Sequence, residues 1–283
     1  MKITIQNDAV VAVIDSMGAE LVSLKFHGTE RLWQNDNGSW SGHAPVLFPM
    51  CGNCSAVFDG WKSPMQRHGF ARRTEFKLQS QGSDFVTFTL TDNEETRKVY
   101  PFAFRLTVGY FLRGNGVEIV YETENKQESP IPFGWGGHVS HALFSSLNEC
   151  ALKFSDTEQF TALLHDENGL LTGETADMGR GKTLALSENL LANARTVIFG
   201  GIRSRTVTLQ SGGAPLAQLS FEGFENLLLW HPVGSKMLCI EPWTNLPDSQ
   251  ETQGMELAEK RGIINLPAGK TARAVQKFTY FEV

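Results

Sequence analysis

Three segments of the chain place a residue that can move protons beside glycine or tryptophan. His68 and His138 each adjoin glycine, and Glu241 ends an apolar run just before Trp243. Glycine lets the backbone approach a ligand closely, and a carboxylate beside an aromatic ring can serve as a general base. Near pH 7, Glu and His can hold the protonation states of a base and an acid. Each segment alone also fits an ordinary hydrogen-bonded loop or turn.

The histidines and cysteines form no recognisable metal site. His138 and His141 have the spacing of ligands on a helix, but the glycines before them disfavour a helix and no third ligand is evident. Cys51 and Cys54 form a CxxC that lacks a second pair for zinc and the βαβ setting of a redox site. The four cysteines are too few and too scattered for a disulfide framework. We therefore expect no metal and a reducing, cytoplasmic location.

Composition excludes several classes of partner. The 283 residues carry 25 basic and 31 acidic side chains, a formal net charge of −6, without a cluster of Lys and Arg. Nucleic acid is therefore not an expected partner. The apolar run from Val10 to Ile14 is shorter than the roughly 7–15 residues of a signal-peptide core. No later stretch reaches the roughly 18 apolar residues of a membrane span, so no membrane partner is expected.

The elements that must hold these residues are predicted to be strands. Apolar residues alternate with polar ones over 85–90, 102–112 and 117–121, and Gly114-Asn115-Gly116 supplies the positive φ of a tight hairpin. Further strands are predicted at 2–5, 9–14, 20–26, 205–210, 216–221, 226–230, 236–240 and 272–281. Amphipathic helices are nearly absent, and the best helical stretch is 249–261. The pattern predicts an all-β sandwich or barrel, with residues 1–283 as one domain.

Four segments in order resemble the aldose 1-epimerase (galactose mutarotase-like) family, near its hexose-6-phosphate mutarotase branch. They lie at residues 45–49, 68–72, 136–138 and 239–243. The resemblance implies a large antiparallel β-sandwich with a sugar-binding cleft. It also implies an isomerase that interconverts the α and β anomers of an aldose, with no metal or organic cofactor.

The resemblance also assigns roles to residues of this chain. Glu241 takes the proton of the anomeric hydroxyl, His138 gives a proton to the ring oxygen, and His68 binds and polarises it. A sugar cleft should further offer amide and guanidinium donors, and aromatic rings for stacking. The candidates for these contacts are Arg72, Asn53, Trp243 and Trp230.

One departure from the family leaves the substrate open. Many relatives have an arginine where this chain has Asn53, which weakens the case for a phosphorylated sugar, although Arg67, Arg72 and Arg73 could bind phosphate. A neutral hexose and a hexose 6-phosphate are therefore both possible substrates. Two other functions fit the same residues: a non-catalytic carbohydrate-binding or sugar-sensing protein, and a glycosidase with Glu241 and Asp248 as its carboxylate pair. The sequence does not determine the oligomeric state.

Overall fold

Alternating apolar and polar residues form antiparallel strands along most of the chain. A computed structural model describes residues 1–192 and 196–282. The strands are β1 (Lys2–Gln6), β2 (Val10–Asp15), β3 (Glu20–Phe26), β4 (Thr29–Glu30), β5 (Val46–Leu47), β6 (Val57–Phe58), β7 (Trp61–Lys62), β8 (Lys77–Gln81), β9 (Phe85–Thr91), β10 (Phe104–Arg113), β11 (Gly116–Asn125), β12 (Ile131–Phe133), β13 (Gly136–Gly137), β14 (Val139–Ala142), β15 (Cys150–His165), β16 (Leu171–Ala185), β17 (Thr196–Phe199), β18 (Thr206–Ser211), β19 (Ala214–Glu222), β20 (Asn226–Trp230), β21 (Met237–Trp243), β22 (Ile264–Leu266) and β23 (Thr271–Tyr280).

Helices are short. In the part of the chain that the structure describes, the α-helices are α1 (Glu94–Arg97) and α2 (Glu188–Ala192), and single 3₁₀ turns cover Ala71–Arg73, Leu147–Glu149 and Leu257–Glu259. Among residues 1–192 and 196–282, no helix has the length and apolar character needed to cross a bilayer.

Most of the strands belong to one large sheet. Its order, within the described residues, is β5-β13-β21-β20-β17-β15-β18-β19-β23-β11-β10-β9-β8, with β14 also on β21 and β16 also on β15. Strands β1 to β4 form a second sheet, and β12–β22 and β6–β7 form small pairs. The main ladders are antiparallel. The structure therefore confirms the predicted all-β class and the large antiparallel β-sandwich.

The predicted central hairpin is confirmed. Strands β10 and β11 pair from Phe104↔Asn125 to Arg113↔Gly116, and Gly114 has a φ of 56° in the turn. Neighbouring side chains of a strand point to opposite faces. On β10, one face is made by alternate apolar residues, which are all buried: Phe104, Leu106, Val108, Tyr110 and Leu112. The other predicted strands are also present, with their ends shifted by a few residues.

Two predictions about local structure were incomplete or wrong. The best helical candidate of the sequence, 249–261, is not a helix: the chain makes turns there, followed by the 3₁₀ turn at Leu257–Glu259. Gly254 has a φ of 86°, which a right-handed helix does not accept, and Ser249 and Thr252 hydrogen-bond within the turn. The long pair β15–β16 was not predicted, because β16 is largely exposed and lacks an apolar face.

Strand β21 has a core face and a cleft face. Leu238 and Ile240 belong to the main core, while Cys239, Glu241 and Trp243 point to the opposite face. That second face carries the candidate site.

Candidate functional site

A chamber of about 220 Å³, called here the first chamber, opens on the cleft face of β21. Its lining consists of Trp40, Arg67, His68, Arg72, His138, Thr196, Trp230, Glu241 and Trp243. It therefore brings together every residue predicted for the site except Asn53. These residues come from β17, β20, β21, the first 3₁₀ turn and the loops before β5, before that turn and after β13.

Two glycines allow His138 to reach this chamber. Strand β13 lies between β5 and β21, with Gly136 opposite both Leu47 and Trp243. A Cβ on Gly136 would lie 2.6 Å from Trp243 Cδ1, and one on Gly137 would collide with the side chain of Gln276. Only glycine permits this close approach of the strand, which places His138 beside Glu241.

Glu241 and His138 form a buried acid–base pair. His138 Nε2 lies 3.4 Å from Glu241 Oε2, and the two side chains are 11% and 2% exposed. Glu241 Oε2 and His138 Nδ1 have no hydrogen-bond partner among the described residues. The pair is therefore shielded from solvent and free to bind polar atoms of a ligand.

Burial opposes charge on both members of the pair. It raises the pKa of Glu241 well above 4.5, against the attraction of the Arg67 guanidinium, and it lowers the pKa of His138 to about 3. The chamber therefore favours a neutral carboxyl beside a neutral imidazole. Arg67 acts in the other direction on the carboxyl, because its charge stabilises the carboxylate.

Each nitrogen of the His68 ring faces a hydrogen-bond donor of the protein. The backbone amide of Gly52 lies 3.0 Å from Nδ1 of the ring. The side-chain Nε of Arg67 lies 3.0 Å from Nε2. A neutral imidazole has one acceptor nitrogen, so it accepts from only one of these donors. The Gly52 amide is buried and fixed whereas Arg67 is exposed, so we assign the acceptor to Nδ1 and the proton to Nε2. Burial, with the charges of His138 and Arg67, keeps the pKa of His68 well below 6.5.

Two arginines supply positive charge at the chamber. Arg72 Nη2 donates to the Arg67 carbonyl at 3.0 Å, and the buried Arg72 Nε has no partner among the described residues. Burial lowers the pKa of Arg72, and its guanidinium keeps a donor for a ligand. Arg73 does not join them, because it hydrogen-bonds to Gln66 and lies outside the chamber.

Tryptophans form the walls. Trp40 stacks on His138 with ring centroids 5.0 Å apart, and Trp230 meets His138 edge to face at 5.9 Å. Trp243 meets His68 in the same way at 5.3 Å. Sequence reasoning missed Trp40, although a tryptophan in a stretch of Asn, Ser and Gly has little local core to fill. It also missed Thr196, for which the sequence offers no signal.

Asn53 borders a neighbouring second chamber of about 200 Å³. Its amide donates to the main-chain carbonyl of Asn168, which ties it to the β15–β16 turn. The residues that line both chambers are Arg67, Thr196, Trp230 and Trp243. The two chambers are therefore parts of one cleft, and Asn53 contacts only the second part.

Other groups considered from the sequence lie elsewhere. Asp248 is buried in an ion pair with Lys260 at 2.7 Å and accepts from the Ser55 amide, so it forms no carboxylate pair with Glu241. His141 packs on the opposite face of the sheet, against Phe278. The cysteines at 51, 54, 150 and 239 are all free and buried.

Comparison with known proteins gives consistent matches. Residues 1–253 match the protein family described as "Aldose 1-epimerase". "Protein LacX, plasmid" of Lactococcus lactis subsp. lactis is 31% identical over 280 residues, which cover 92% of this chain and 93% of that protein.

Solved structures extend the match to three dimensions. A galactose mutarotase related enzyme from Lactobacillus acidophilus superposes with a TM-score of 0.91 at 28% identity, over 100% of this chain and 98% of that one. A galactose mutarotase-like protein from Lactobacillus casei ATCC 334 gives 0.90 at 27% identity, over 99% and 100%.

Proposed function

Because the chain belongs to the aldose 1-epimerase family, we propose that its cleft interconverts the α and β anomers of a hexose or hexose phosphate by acid–base ring opening and reclosure. One observation carries this proposal. A buried carboxyl group and a buried imidazole lie 3.4 Å apart on the floor of a chamber walled by tryptophan. Opening a hemiacetal needs a base at the anomeric hydroxyl and an acid at the ring oxygen in one site.

In the proposed reaction, the carboxylate of Glu241 takes the proton of the anomeric hydroxyl. His138 gives a proton to the ring oxygen as the bond from that oxygen to C1 breaks. Rotation about C1–C2 presents the other face of the aldehyde, and the two proton transfers then run in reverse. No atom is gained or lost, so no further reactant is needed.

The electrostatics of the pair suit this cycle. The pair is charged while the sugar is a closed ring and neutral while the sugar is open. Burial favours the neutral pair, which lowers the free energy of the open-chain state. Arg67 favours the carboxylate, which the first proton transfer requires. The same guanidinium disfavours an imidazolium at His138, so burial dominates and the neutral pair is the state of lower free energy.

The remaining residues bind and orient the sugar. We propose that His68 donates its Nε2 proton to a sugar oxygen once Arg67 turns aside, that Arg72 donates to a hydroxyl or phosphate, and that Trp243 and Trp230 stack on the ring. Asn53 contacts only a sugar substituent that extends into the second chamber. A 6-phosphate would be one such substituent, with Arg67 between the two chambers as its counter-charge.

Exchange spectroscopy tests the proposal. Selective-inversion NMR with glucose, galactose and their 6-phosphates measures the rate of anomer exchange with and without protein. We expect acceleration for at least one sugar, and a loss of about 10²- to 10⁴-fold for Glu241→Gln, because a general base is removed. No acceleration for any sugar would refute the function, and an active Glu241→Gln would refute the assigned base.

A binding-only role remains the second candidate, because burial makes an imidazolium at His138 costly. Calorimetry on the same sugar panel separates the two functions. Binding of a sugar whose anomer exchange is not accelerated would favour a carbohydrate-binding or sensing protein.

A further inference from the structure

Three different ligand types converge beneath the first chamber. Cys239 and Glu241 are alternate residues of β21 and share its cleft face, and His138 approaches them from the end of β13. One sulfur, one nitrogen and one oxygen of these residues lie within 4.8 Å of one another. All three residues are buried, so bulk water does not compete with them for a bound ion.

The separations suit a tetrahedral metal ion. With bonds of about 2.1 Å to nitrogen and oxygen, two ligands of a tetrahedron lie about 3.4 Å apart. His138 Nε2 and Glu241 Oε2 are 3.4 Å apart. A Zn–S bond of about 2.3 Å puts sulfur about 3.6 Å from the other ligands, so Cys239 has at most roughly 1.2 Å to move.

The donor atoms are available. Glu241 Oε2 makes no hydrogen bond within the described residues, although its side chain is only 2% exposed. His138 Nε2 faces Glu241 Oε2, and a neutral imidazole nitrogen is a metal ligand. Cys239 binds a metal as the thiolate, a soft ligand, so a thiophilic cation that displaces the thiol proton suits the set.

We propose that His138, Cys239 and Glu241 bind a thiophilic divalent cation of the Zn²⁺ type, with the fourth coordination position open to the first chamber. Hard cations such as Mg²⁺ and Ca²⁺ do not suit a set that contains thiolate and imidazole. The bound ion occupies the proposed base and acid together, so it inhibits anomer exchange. This inhibitory role, unlike the binding itself, rests on the proposed function.

Cobalt substitution tests the binding directly. Co²⁺ is titrated into the full-length protein, and the thiolate-to-cobalt charge-transfer band is recorded in the near ultraviolet. We expect one equivalent to give the band, Zn²⁺ to abolish it, and Cys239→Ser to lack it. Cys54→Ser is the matched control, because Cys54 is also buried but belongs neither to the lining of the first chamber nor to the three-residue cluster. No band, or a band that persists in Cys239→Ser, would overturn the proposal.

Zinc inhibition tests the consequence. The exchange rate is measured in EDTA and in buffered free Zn²⁺ for the wild type, Cys239→Ser and Cys54→Ser. Loss of one ligand should weaken inhibition at least about tenfold in Cys239→Ser and leave it unchanged in Cys54→Ser. Equal inhibition of the wild type and Cys239→Ser would place the ion elsewhere and overturn the proposal. If Cys239→Ser does not fold, Cys239→Ala provides the same comparison.

The two proposals fail separately. A wild-type protein that is active in EDTA but shows no cobalt band retains the proposed function and lacks the metal site. A protein that forms the Cys239-dependent band but accelerates no anomer exchange keeps the metal site and loses the proposed function.

Discussion

Replacing Glu241 by glutamine should reduce activity by about 10²- to 10⁴-fold and stabilise the fold. The side chain is 2% exposed, its Oε2 has no hydrogen-bond partner among the described residues, and burial raises its pKa. Ionising this group therefore costs free energy in the folded state that it does not cost in the unfolded chain. Glutamine has nearly the same shape and never ionises, so it avoids this cost.

The sign and the magnitude follow from proton linkage. Between the unfolded pKa, near 4.5, and the higher folded pKa, the unfolded chain has lost the Glu241 proton while the folded protein keeps it. The free energy of unfolding of the wild type therefore falls as pH rises through this window. Relative to the wild type, Glu241→Gln should gain about 1.4 kcal/mol for each unit by which the pKa is raised, and the gain should level off above the folded pKa.

Urea denaturation of both proteins at intervals from pH 4 to pH 8 measures this difference. Other titrating groups are common to both proteins, so their contributions largely cancel. Glu222→Gln, a change at an exposed position of β19, serves as the control and should alter the free energy of unfolding by no more than about 0.5 kcal/mol throughout. A difference that stays flat across the range, or a wild type that gains stability over Glu241→Gln with rising pH, would refute the reasoning.

Two further predictions concern the charged residues around the site. Arg67→Met should move the acid limb of the kcat/KM profile to higher pH, because the guanidinium favours the carboxylate form of Glu241, the proposed base. Arg73→Met, whose guanidinium contacts Gln66 instead, should leave the limb unmoved, and identical profiles for both variants would contradict the coupling. Lys260→Met should lower the free energy of unfolding by about 3–5 kcal/mol in urea, because it leaves the Asp248 carboxylate buried without its cation. The double variant Lys260→Met/Asp248→Asn should recover most of that loss. If Lys260→Met alone lowered the free energy of unfolding by less than about 1 kcal/mol, the pair would not be desolvated.

The sequence determined many of the strands and the residue types of the site. The hairpin of β10 and β11 follows from a period of two, which local sequence displays directly. The motifs at His68, His138 and Glu241 identified the groups that meet in the first chamber. The helical candidate at 249–261 forms turns instead, because Gly254 and the hydroxyl groups of Ser249 and Thr252 determine its conformation.

The tertiary structure alone decided which of these residues meet. It joins His68 to the amide of Gly52, stacks Trp40 on His138, and withdraws Asp248 into an ion pair. It also places Cys239 beside the acid–base pair and Asn53 in the second chamber. Local sequence encodes which face of a strand is apolar, but not which distant strand lies beside it. That pairing depends on packing the whole sheet at once, and it sets the burial from which the chemistry of Glu241 and His138 follows.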